Sequence, residues 1–393
     1  MPFALYLLAL VVFAMGTSEF MLAGLVPDIS TYFSVSVGTA GLLTSAFAAG
    51  MVIGAPAMAA LTRHLPVKAT LLGCAIVFAL SHVVGALTPD FTVLFITRVI
   101  AAIVNAGFLA VALGAATRLV APDAKGRAVA VLLAGTTVAT VAGVPAGALL
   151  GTALGWQSTF WAIALLCVPA AIGIAAGFNT QVHDSSREES SSTSLRVELA
   201  QLSSPRLVLT MLLAALVNAG TFATLTYLAP IVTDTAGLSQ WWVPLALVLF
   251  GVGSFIGVTV AGRLSDARPR IVIVGGGSVL VLGWVALALF ATNPVALLGL
   301  VFTQGVVGFA VGSTLITRVL YAAASAPTMA GSYATAALNV GAAAGPVLAS
   351  AALSVMPGAL GPVWVAALAT TTALLLAVPL IRLIAPVESE VVK

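Results

Sequence analysis

The sequence predicts an all-α membrane protein with twelve transmembrane helices arranged as two six-helix bundles. Hydrophobic residues make up 61% of the 393 residues and charged residues only 7%, whereas a soluble domain carries roughly 25% charged residues. The apolar residues fall into twelve runs close to the length of about 20 residues that crosses a bilayer as a helix. One long polar segment divides these runs into two sets of six.

The twelve runs are separated by short segments rich in glycine, proline and charge. Glycine and proline inside a run do not exclude a membrane helix, because neighbouring helices and side chains satisfy the freed backbone groups. The predicted spans are 3–26, 38–62, 67–87, 91–117, 127–152, 158–178, 207–233, 241–262, 270–291, 294–317, 329–354 and 361–384.

The polar segment "NTQVHDSSREESSSTSLRVELAQLSSPR" is rich in serine and charge and contains no aromatic residue. This composition is typical of a linker. We therefore predict an N-terminal bundle over residues 1–178, a cytoplasmic linker over 179–206 and a C-terminal bundle over 207–393.

The two predicted bundles repeat each other. Proline and glycine residues of the first half recur in the second at a constant offset of 203, and the pairs are Pro27 with Pro230, Gly50 with Gly253 and Gly54 with Gly257. Six spans per half give both repeats the same orientation. Parallel repeats are typical of transporters whose site lies at the membrane midplane between the halves.

Lysine and arginine predict the orientation. If the N-terminus is cytoplasmic, every Lys and Arg outside the spans is cytoplasmic, while the outer loops carry Asp28, Asp90 and Asp234. This asymmetry follows the positive-inside rule, so we expect a protein of the inner (cytoplasmic) membrane with both termini in the cytoplasm. The lipid bilayer then surrounds the helices.

Other partners are not indicated by the sequence. No basic patch interleaved with aromatic residues indicates a nucleic-acid partner, and Cys74 and Cys167 form no metal or disulfide pattern.

Two charged side chains lie at membrane depth, well inside predicted spans. Glu19, in "GTSEFMLAGLVPD", precedes Pro27 by eight residues, and Arg98, in "FITRVIAAIVNAGF", follows Asp90 by eight. At 1.5 Å per residue both lie roughly 12 Å below the outer helix ends and are able to meet. A charge at this depth is a functional-site hypothesis, and a titratable pair suits proton exchange. The alternative is a structural ion pair. His82 is a further candidate proton relay, or an interfacial histidine with one hydrogen bond.

Uncharged polar side chains predict contacts with a neutral substrate. The second half has amides and hydroxyls near mid-span but no buried charge, so we expect proton handling in the first half and substrate contacts in both. Hydrogen bonding between helices is the alternative for each amide. The candidate substrate residues are Phe20, Met21, Asn105, Asn218, Tyr227, Gln304 and Asn339.

Small residues form a stripe on the fifth predicted span, "GTTVATVAGVPAGALLG". Gly135, Gly143, Gly147 and Gly151 are separated by multiples of four residues, which places them on one face and permits close helix contact. Pro145 permits a bend. Ordinary helix packing explains the spacing equally well.

These motifs resemble those of the major facilitator superfamily, and the resemblance covers the whole chain. The span-5 stretch is similar to the signature of proton-linked drug antiporters. "GVTVAGRLSDARPR" resembles the family's cytoplasmic loop motif, which implies that its charges lock one conformation. Those charges are Arg263, Asp266, Arg268 and Arg270. The first-half copy, "GAPAMAALTRHLPVK", departs from the pattern because Arg63 stands where an aspartate is expected. Positive-inside charge without a gating role is the alternative.

A narrower resemblance is to the actinobacterial chloramphenicol resistance exporters. It rests on "MPFALYLLALVVFAMGTSEFMLAGLVPDIS", "VNAGFLAVALGAAT", "GVPAGALLGTALGW", "STLITRVLYAA" and "GSYATAALNVGAAAGPVL". It implies export of chloramphenicol in exchange for protons, by a monomer without cofactors. A sugar or metabolite exporter of the same family and a non-transporting membrane sensor are the alternatives. No nucleophile with a neighbouring base, metal-ligand pattern or Walker loop indicates an enzyme.

Overall fold

The predicted fold is confirmed by the structure, a computed structural model that describes residues 2–62, 65–121, 124–177, 200–265, 267–326 and 329–384. Within these ranges, eleven helices have the length and apolar composition to cross a membrane. A twelfth apolar helix, Gly361–Ala377, has 17 residues. All of this secondary structure is helical.

The described residues of the first half form eight α-helical segments. A π-helical stretch, Ala139–Gly143, joins the sixth to the seventh. The segments are α1 Phe3–Phe20, α2 Leu22–Phe33, α3 Val37–Thr62, α4 Val67–Leu87, α5 Phe91–Arg118, α6 Lys125–Val138, α7 Val144–Leu154 and α8 Trp156–Gly177.

In the part of the second half that the structure describes, there are six long helices. Short helical turns at Ala200–Ser203, Leu228–Pro230 and Ile381–Ile384 accompany them, with π-helical stretches at Ile231–Thr235 and Ile271–Gly276. The long helices are α9 Pro205–Thr226, α10 Trp242–Leu264, α11 Gly277–Phe290, α12 Pro294–Ala322, α13 Ala330–Val355 and α14 Gly361–Ala377.

The chain forms two compact units. One comprises residues 1–190 with 243–248, and the other 191–242 with 249–393. The predicted linker, 179–206, lies outside the described residues up to residue 199. The domain boundaries derived from the sequence stay a prediction.

The first helix of each half is interrupted ahead of the matched proline. α1 ends at Phe20 and the helix resumes as α2, which contains Pro27 and continues to Phe33. The expectation that the first span ends at residue 26 is therefore wrong, and Asp28 lies on a helix rather than in a loop. Proline removes one backbone hydrogen bond without ending a helix where its neighbours support it. In the second half the break falls at Tyr227, before Pro230.

The internal repeat extends to helix capping. Asp90 caps α5 by accepting hydrogen bonds from the backbone N–H groups of residues 92 and 93. Asn293, at the same offset of 203, caps α12 by accepting from residues 295 and 296. A side-chain oxygen at this position satisfies N–H groups that the helix itself leaves unpaired. The fourth span and the tenth therefore begin at equivalent residues.

Helix packing follows the same repeat. A Cβ added to Gly50 of α3 would lie 2.8 Å from the carbonyl oxygen of Val99 on α5. A Cβ added to Gly253 of α10 would meet the carbonyl oxygen of Phe302 on α12. These partners are again 203 residues apart, so the two halves share the register of their helix contacts as well as their sequence pattern.

Candidate functional site

A buried hydrogen-bond chain joins three helices of the first unit. Arg98 on α5 contacts Ser18 on α1 twice: Nη1 donates to the Ser18 hydroxyl and Nη2 to the Ser18 carbonyl, both at 2.7 Å. The Ser18 hydroxyl lies 2.7 Å from Nε2 of His82 on α4. His82 Nδ1 lies 2.8 Å from the Phe78 carbonyl. Arg98 and His82 are each 1% exposed.

The direction of this chain follows from its two ends. The Phe78 carbonyl can only accept, so His82 Nδ1 carries a hydrogen and donates. Arg98 can only donate, so its bond uses a lone pair of the Ser18 oxygen. The Ser18 hydroxyl hydrogen is then free to be donated to His82 Nε2. Every bond is satisfied with His82 as the neutral Nδ1–H tautomer, and His82 makes two hydrogen bonds rather than the single one considered from the sequence.

The Arg98 guanidinium has a third kind of contact. Its Cζ lies 4.5 Å from the centroid of the Phe47 ring on α3, a geometry in which the negative face of the ring attracts the cation. Arg98 Nε has no hydrogen-bond partner. The arginine thus links α5 to both α1 and α3 at a buried position.

Glu19 lies beside this chain but outside it. Its side chain is partly exposed at the end of α1, and Arg98 is near enough to interact with it electrostatically. Among the described residues, however, the Glu19 carboxylate has no hydrogen bond and no ion pair within 4.0 Å. The structure therefore places Glu19 and Arg98 close together, as expected, but the hydrogen bonds of Arg98 are made to Ser18.

Two residues of this site were not singled out from the sequence. Ser18 bridges Arg98 and His82, and Phe47 supplies the aromatic face. A serine in an apolar helix ordinarily bonds to its own backbone, so its position beside Glu19 was the sole signal. One phenylalanine among the 17 of the chain carries no signal of its own.

The glycine stripe faces neighbouring helices of the first unit. A Cβ on Gly135 would lie 2.5 Å from the Ala9 carbonyl of α1, and one on Gly143 would meet the Thr17 hydroxyl. A Cβ on Gly147 would lie 2.9 Å from Thr159 Cγ2. Three positions of the stripe are thus in close packing, as small residues permit.

The same region departs from regular α-helix. The π-helical stretch Ala139–Gly143 lies just before Pro145, which is in the first turn of α7. Gly151 also packs tightly, against the Leu25 side chain of α2. Proline lacks a backbone N–H and its ring crowds the preceding turn, and the regular α-helical hydrogen-bond pattern is interrupted just before Pro145.

The remaining first-half candidates lie on α1, its continuation and α5. Asn105 is buried two turns beyond Arg98, and its Oδ1 has no partner. Phe20 is partly exposed at the end of α1, and Met21 is fully buried at the break before α2.

The second-half amides bond to backbone carbonyls. Asn218 Nδ2 donates to Leu338 on α13 at 2.7 Å, and Gln304 Nε2 donates to Leu280 on α11 at 3.1 Å. Asn339 Nδ2 donates within its own helix to Thr335 at 3.0 Å. Helix-to-helix bonding is thus observed for Asn218 and Gln304.

Tyr227 lies at the break after α9. It is fully buried, and its hydroxyl donates to the Pro346 carbonyl of α13 at 3.2 Å. This bond ties the interrupted first helix of the second half to a neighbouring helix at the point where α9 stops.

The predicted cytoplasmic charge cluster is described in part. Arg263 and Arg268 are exposed and Arg270 is partly buried, whereas Asp266 lies outside the described residues. Arg318 of α12, read from the sequence simply as a topology mark, reaches this loop.

Arg318 is a second buried arginine of the structure, so the expectation that the second half has no buried charge is wrong. Arg318 is 8% exposed, and its Nη2 donates to the Ser265 carbonyl at 2.9 Å. Its Cζ lies 4.7 Å from the Tyr321 ring centroid. The end of α12 is therefore tied to the loop that follows α10.

Long apolar helices, with an arginine, a histidine and amides buried among them, are the architecture of a multi-pass membrane protein. The chain matches the model of the Major Facilitator Superfamily over residues 8–346, and it belongs to that family. It is a multi-pass membrane transporter.

Relatives of known or assigned role support this placement. The chain is 62% identical over 382 residues, 96% of both chains, to the "Chloramphenicol resistance protein" of Streptomyces lividans. It is 31% identical over 360 residues to the inner membrane transport protein YdhP of Escherichia coli K12, covering 90% of this chain and 89% of that one. A crystal structure of a bacterial homolog to the human lysosomal transporter Spinster matches with a TM-score of 0.72 at 17% identity, covering 97% and 95%. That last likeness concerns the fold.

Proposed function

We propose that this protein exports chloramphenicol across the cytoplasmic membrane in exchange for protons, by alternating access. The observation that carries the proposal is the 62% identity, along 96% of the chain, to a relative named for chloramphenicol resistance. Chloramphenicol is uncharged. The second-half candidates Asn218, Tyr227, Gln304 and Asn339 are likewise uncharged and suit hydrogen bonding to a neutral drug.

Glu19 is the proposed proton carrier. Among the long apolar helices that the structure describes, it is the one acidic residue. Its carboxylate is partly exposed and has no bonding partner among the described residues, so a proton can reach it without first breaking a hydrogen bond. Ionisable groups at membrane depth mark proton pathways in transporters.

Arg98 couples the charge of Glu19 to the position of α1. While Glu19 is ionised, it attracts the guanidinium, and while it is protonated that attraction is lost. Arg98 holds both the hydroxyl and the carbonyl of Ser18. A change in the charge of Glu19 therefore changes the force between α5 and α1, and His82 takes part through its bond to Ser18. Proton binding is in this way linked to helix rearrangement.

The remaining elements have supporting roles. The glycine stripe with Pro145 allows α7 to change its packing against its neighbours, as the antiporter signature implies. Arg263, Arg268 and Arg270 act with Asp266 as a cytoplasmic latch, and Arg318 anchors the same loop through Ser265. Both termini are cytoplasmic, and the transporter works as a monomer.

Drug susceptibility tests the substrate. An efflux-deficient host that expresses this chain should gain resistance to chloramphenicol and little resistance to a permanently cationic dye, because the described apolar helices hold a single acid beside an arginine. Tetracycline and arabinose extend the test to other drugs and to sugar export. The matched control is the same host with the Glu19→Gln variant. Dye resistance without any effect on chloramphenicol contradicts the substrate assignment.

A further inference from the structure

Two helical stretches of the first unit run side by side in a constant register. α1 and its continuation α2 pack against α6, the π-helical stretch Ala139–Gly143 and α7. Glycines of the second stretch lie where an added Cβ would be within 4.0 Å of a residue of the first. The pairs are Gly135 with Ala9, Gly143 with Thr17, Gly147 with Met21 and Gly151 with Leu25, and each pair is 126 residues apart. The register is therefore kept across both the break at Met21 and the π-helical stretch.

The contact between Thr17 and Gly143 joins the two stretches beside the proposed proton carrier. A Cβ on Gly143 would overlap the Thr17 hydroxyl and would lie 3.1 Å from Cε2 of Phe13. Gly143 is buried and is the last residue of the π-helical stretch. Glycine is therefore required at this position for as long as Thr17 keeps its place.

The Thr17 hydroxyl lacks the bond that a threonine inside a helix ordinarily makes to its own backbone. Thr17 is 5% exposed, and its Oγ1 has no hydrogen-bond partner among the described residues. The hydroxyl oxygen, rather than the larger methyl group, is the branch of Thr17 nearest to the place of a Gly143 Cβ. At this residue, close packing against Gly143 therefore takes precedence over hydrogen bonding.

Thr17 moves together with the proposed proton carrier. It belongs to the last turn of α1, which also carries Ser18, and the Met21 N–H closes that turn by donating to the Thr17 carbonyl at 2.9 Å. Arg98 holds the same turn from α5 through its two bonds to Ser18. The position of the turn thus depends on Arg98 at one side and on Gly143 at the other.

The π-helical stretch is the part of the fifth span with irregular hydrogen bonds. The Val144 N–H donates to the Ala139 carbonyl, five residues back instead of four, and Pro145 has no N–H to donate. A return of the stretch to regular α-helix rotates the residues beyond it by roughly 100°, the angle of one residue. Gly143 would then turn away from Thr17, and the last turn of α1 would lose its support on that side.

We propose that Thr17 and Gly143 are positioning residues, through which the π-helical stretch sets the place of Glu19 on the last turn of α1. The inference rests on the proposed function, in which Glu19 carries the proton. It gives the span-5 signature a direct partner, the helix that bears the carrier. A rearrangement of the stretch moves the carboxylate, and a change at the carboxylate acts back on the stretch.

Three variants break and restore this contact. Thr17→Ala removes the hydroxyl and leaves a gap over Gly143, whereas Gly143→Ala places a methyl group on the hydroxyl. In the double variant the added methyl falls close to the place that the hydroxyl leaves, so the contact returns. The Phe13 ring, 3.1 Å from the added Cβ, is crowded in the single Gly143 variant and in the double variant alike.

Gly173→Ala of α8 is the matched control. Its added Cβ would meet the Leu7 side chain of α1, about three turns before Glu19. This variant crowds the same helix without reaching its last turn.

The first measurement needs neither drug nor a gradient. Dicyclohexylcarbodiimide reacts with protonated carboxyl groups in apolar surroundings, and mass spectrometry of the full-length protein gives the rate at which Glu19 is labelled. The rate should change about tenfold in each single variant and return to within about twofold of the parent in the double variant, as for residues that are coupled by contact. Gly173→Ala should label like the parent. Single variants that also label like the parent, or a double variant no closer to it than they are, overturn the proposal.

Thermal unfolding separates positioning from stability. Thr17→Ala removes a buried hydroxyl that has no partner, so its melting temperature should be unchanged or raised while the labelling rate of Glu19 changes. A lower melting temperature together with an unchanged labelling rate assigns the contact to stability alone and contradicts the proposal.

The last measurement connects the contact to transport. In vesicles with an imposed pH gradient, kcat for chloramphenicol should fall about tenfold in each single variant with KM unchanged, and it should recover to within about twofold in the double variant. Parental kcat in both single variants overturns the proposal. If the parent protein itself does not accumulate chloramphenicol, the proposed function fails, and the labelling rates still decide whether the contact positions Glu19.

Discussion

Arg98 holds Ser18 rather than Glu19. Two N–H groups of the guanidinium reach the hydroxyl and the carbonyl of Ser18, each at 2.7 Å, and the adjacent carboxylate is left without a bond among the described residues. The arginine thereby orders the helix that bears the carboxylate without tying up the carboxylate itself. Arg98 and Ser18 therefore have a structural role, and Glu19 remains available to bind a proton.

Glu19→Gln should abolish proton-driven export. The amide keeps the size and polarity of the side chain but cannot release a proton, so insertion and drug binding persist while accumulation of chloramphenicol in vesicles with an imposed pH gradient is lost. Glu19→Asp should retain part of the activity. Asp28→Asn is the control, since Asp28 lies on α2, beyond the long apolar part of the helix. Parental accumulation by the Gln variant would move the coupling role elsewhere, with His82 as the next candidate.

Ser18→Ala should lower both stability and transport. The variant removes the acceptor of one Arg98 N–H and the donor to His82, and an unsatisfied buried group costs about 1–3 kcal/mol. Ser81→Ala is the matched control, because the buried Ser81 hydroxyl donates within its own helix to Val77 at 2.8 Å. Thermal unfolding and vesicle transport of both variants check this prediction. Equal effects of the two substitutions would remove Ser18 from the coupling mechanism.

Gly257→Ala should destabilise the second unit. The added Cβ would meet the Val306 carbonyl of α12 and would lie 3.1 Å from the Ala310 nitrogen, and neither is a flexible side chain. Overpacking of this kind costs about 1–3 kcal/mol. On the same helix, Gly262 has nothing within 4 Å of an added Cβ, so Gly262→Ala should leave the melting temperature unchanged or slightly raised. A melting temperature for Gly257→Ala equal to that of Gly262→Ala would argue against close contact of α10 with α12.

A reporter active only in the cytoplasm tests the orientation. Fused between Ser185 and Ser194, it should be active, because the lysines and arginines on that side are retained in the cytoplasm. Fused after Asp234, it should be inactive. Activity at both positions is incompatible with the proposed topology.

The sequence predicted elements that depend on local composition. α4 occupies Val67–Leu87, as expected, because an apolar run follows Pro66 directly. The extension of the first helix beyond Pro27 was missed, since the effect of a proline inside a membrane helix depends on the helices around it. The local sequence pattern therefore located the helices, whereas packing against neighbouring helices determined where the first one ends.

The sequence predicted which charged residues form the site, but it did not predict the hydrogen bonds that they make. Glu19 and Arg98 are conspicuous because charge is rare in apolar spans. Which atom the guanidinium reaches depends on the rotation of α1 against α5, and in the structure it reaches Ser18, the residue before Glu19.

At the offset of 203 that relates the two halves, the position of Arg98 corresponds to Val301, and this difference has an electrical consequence. A charge that crosses the membrane field gains or loses about 2.3 kcal/mol per 100 mV. Among the described residues, the charges well inside apolar helices are Glu19 and Arg98, both in the first unit. The voltage across the membrane therefore acts most strongly on two side chains of the first unit, whereas Arg318 of the second unit lies near the end of its helix.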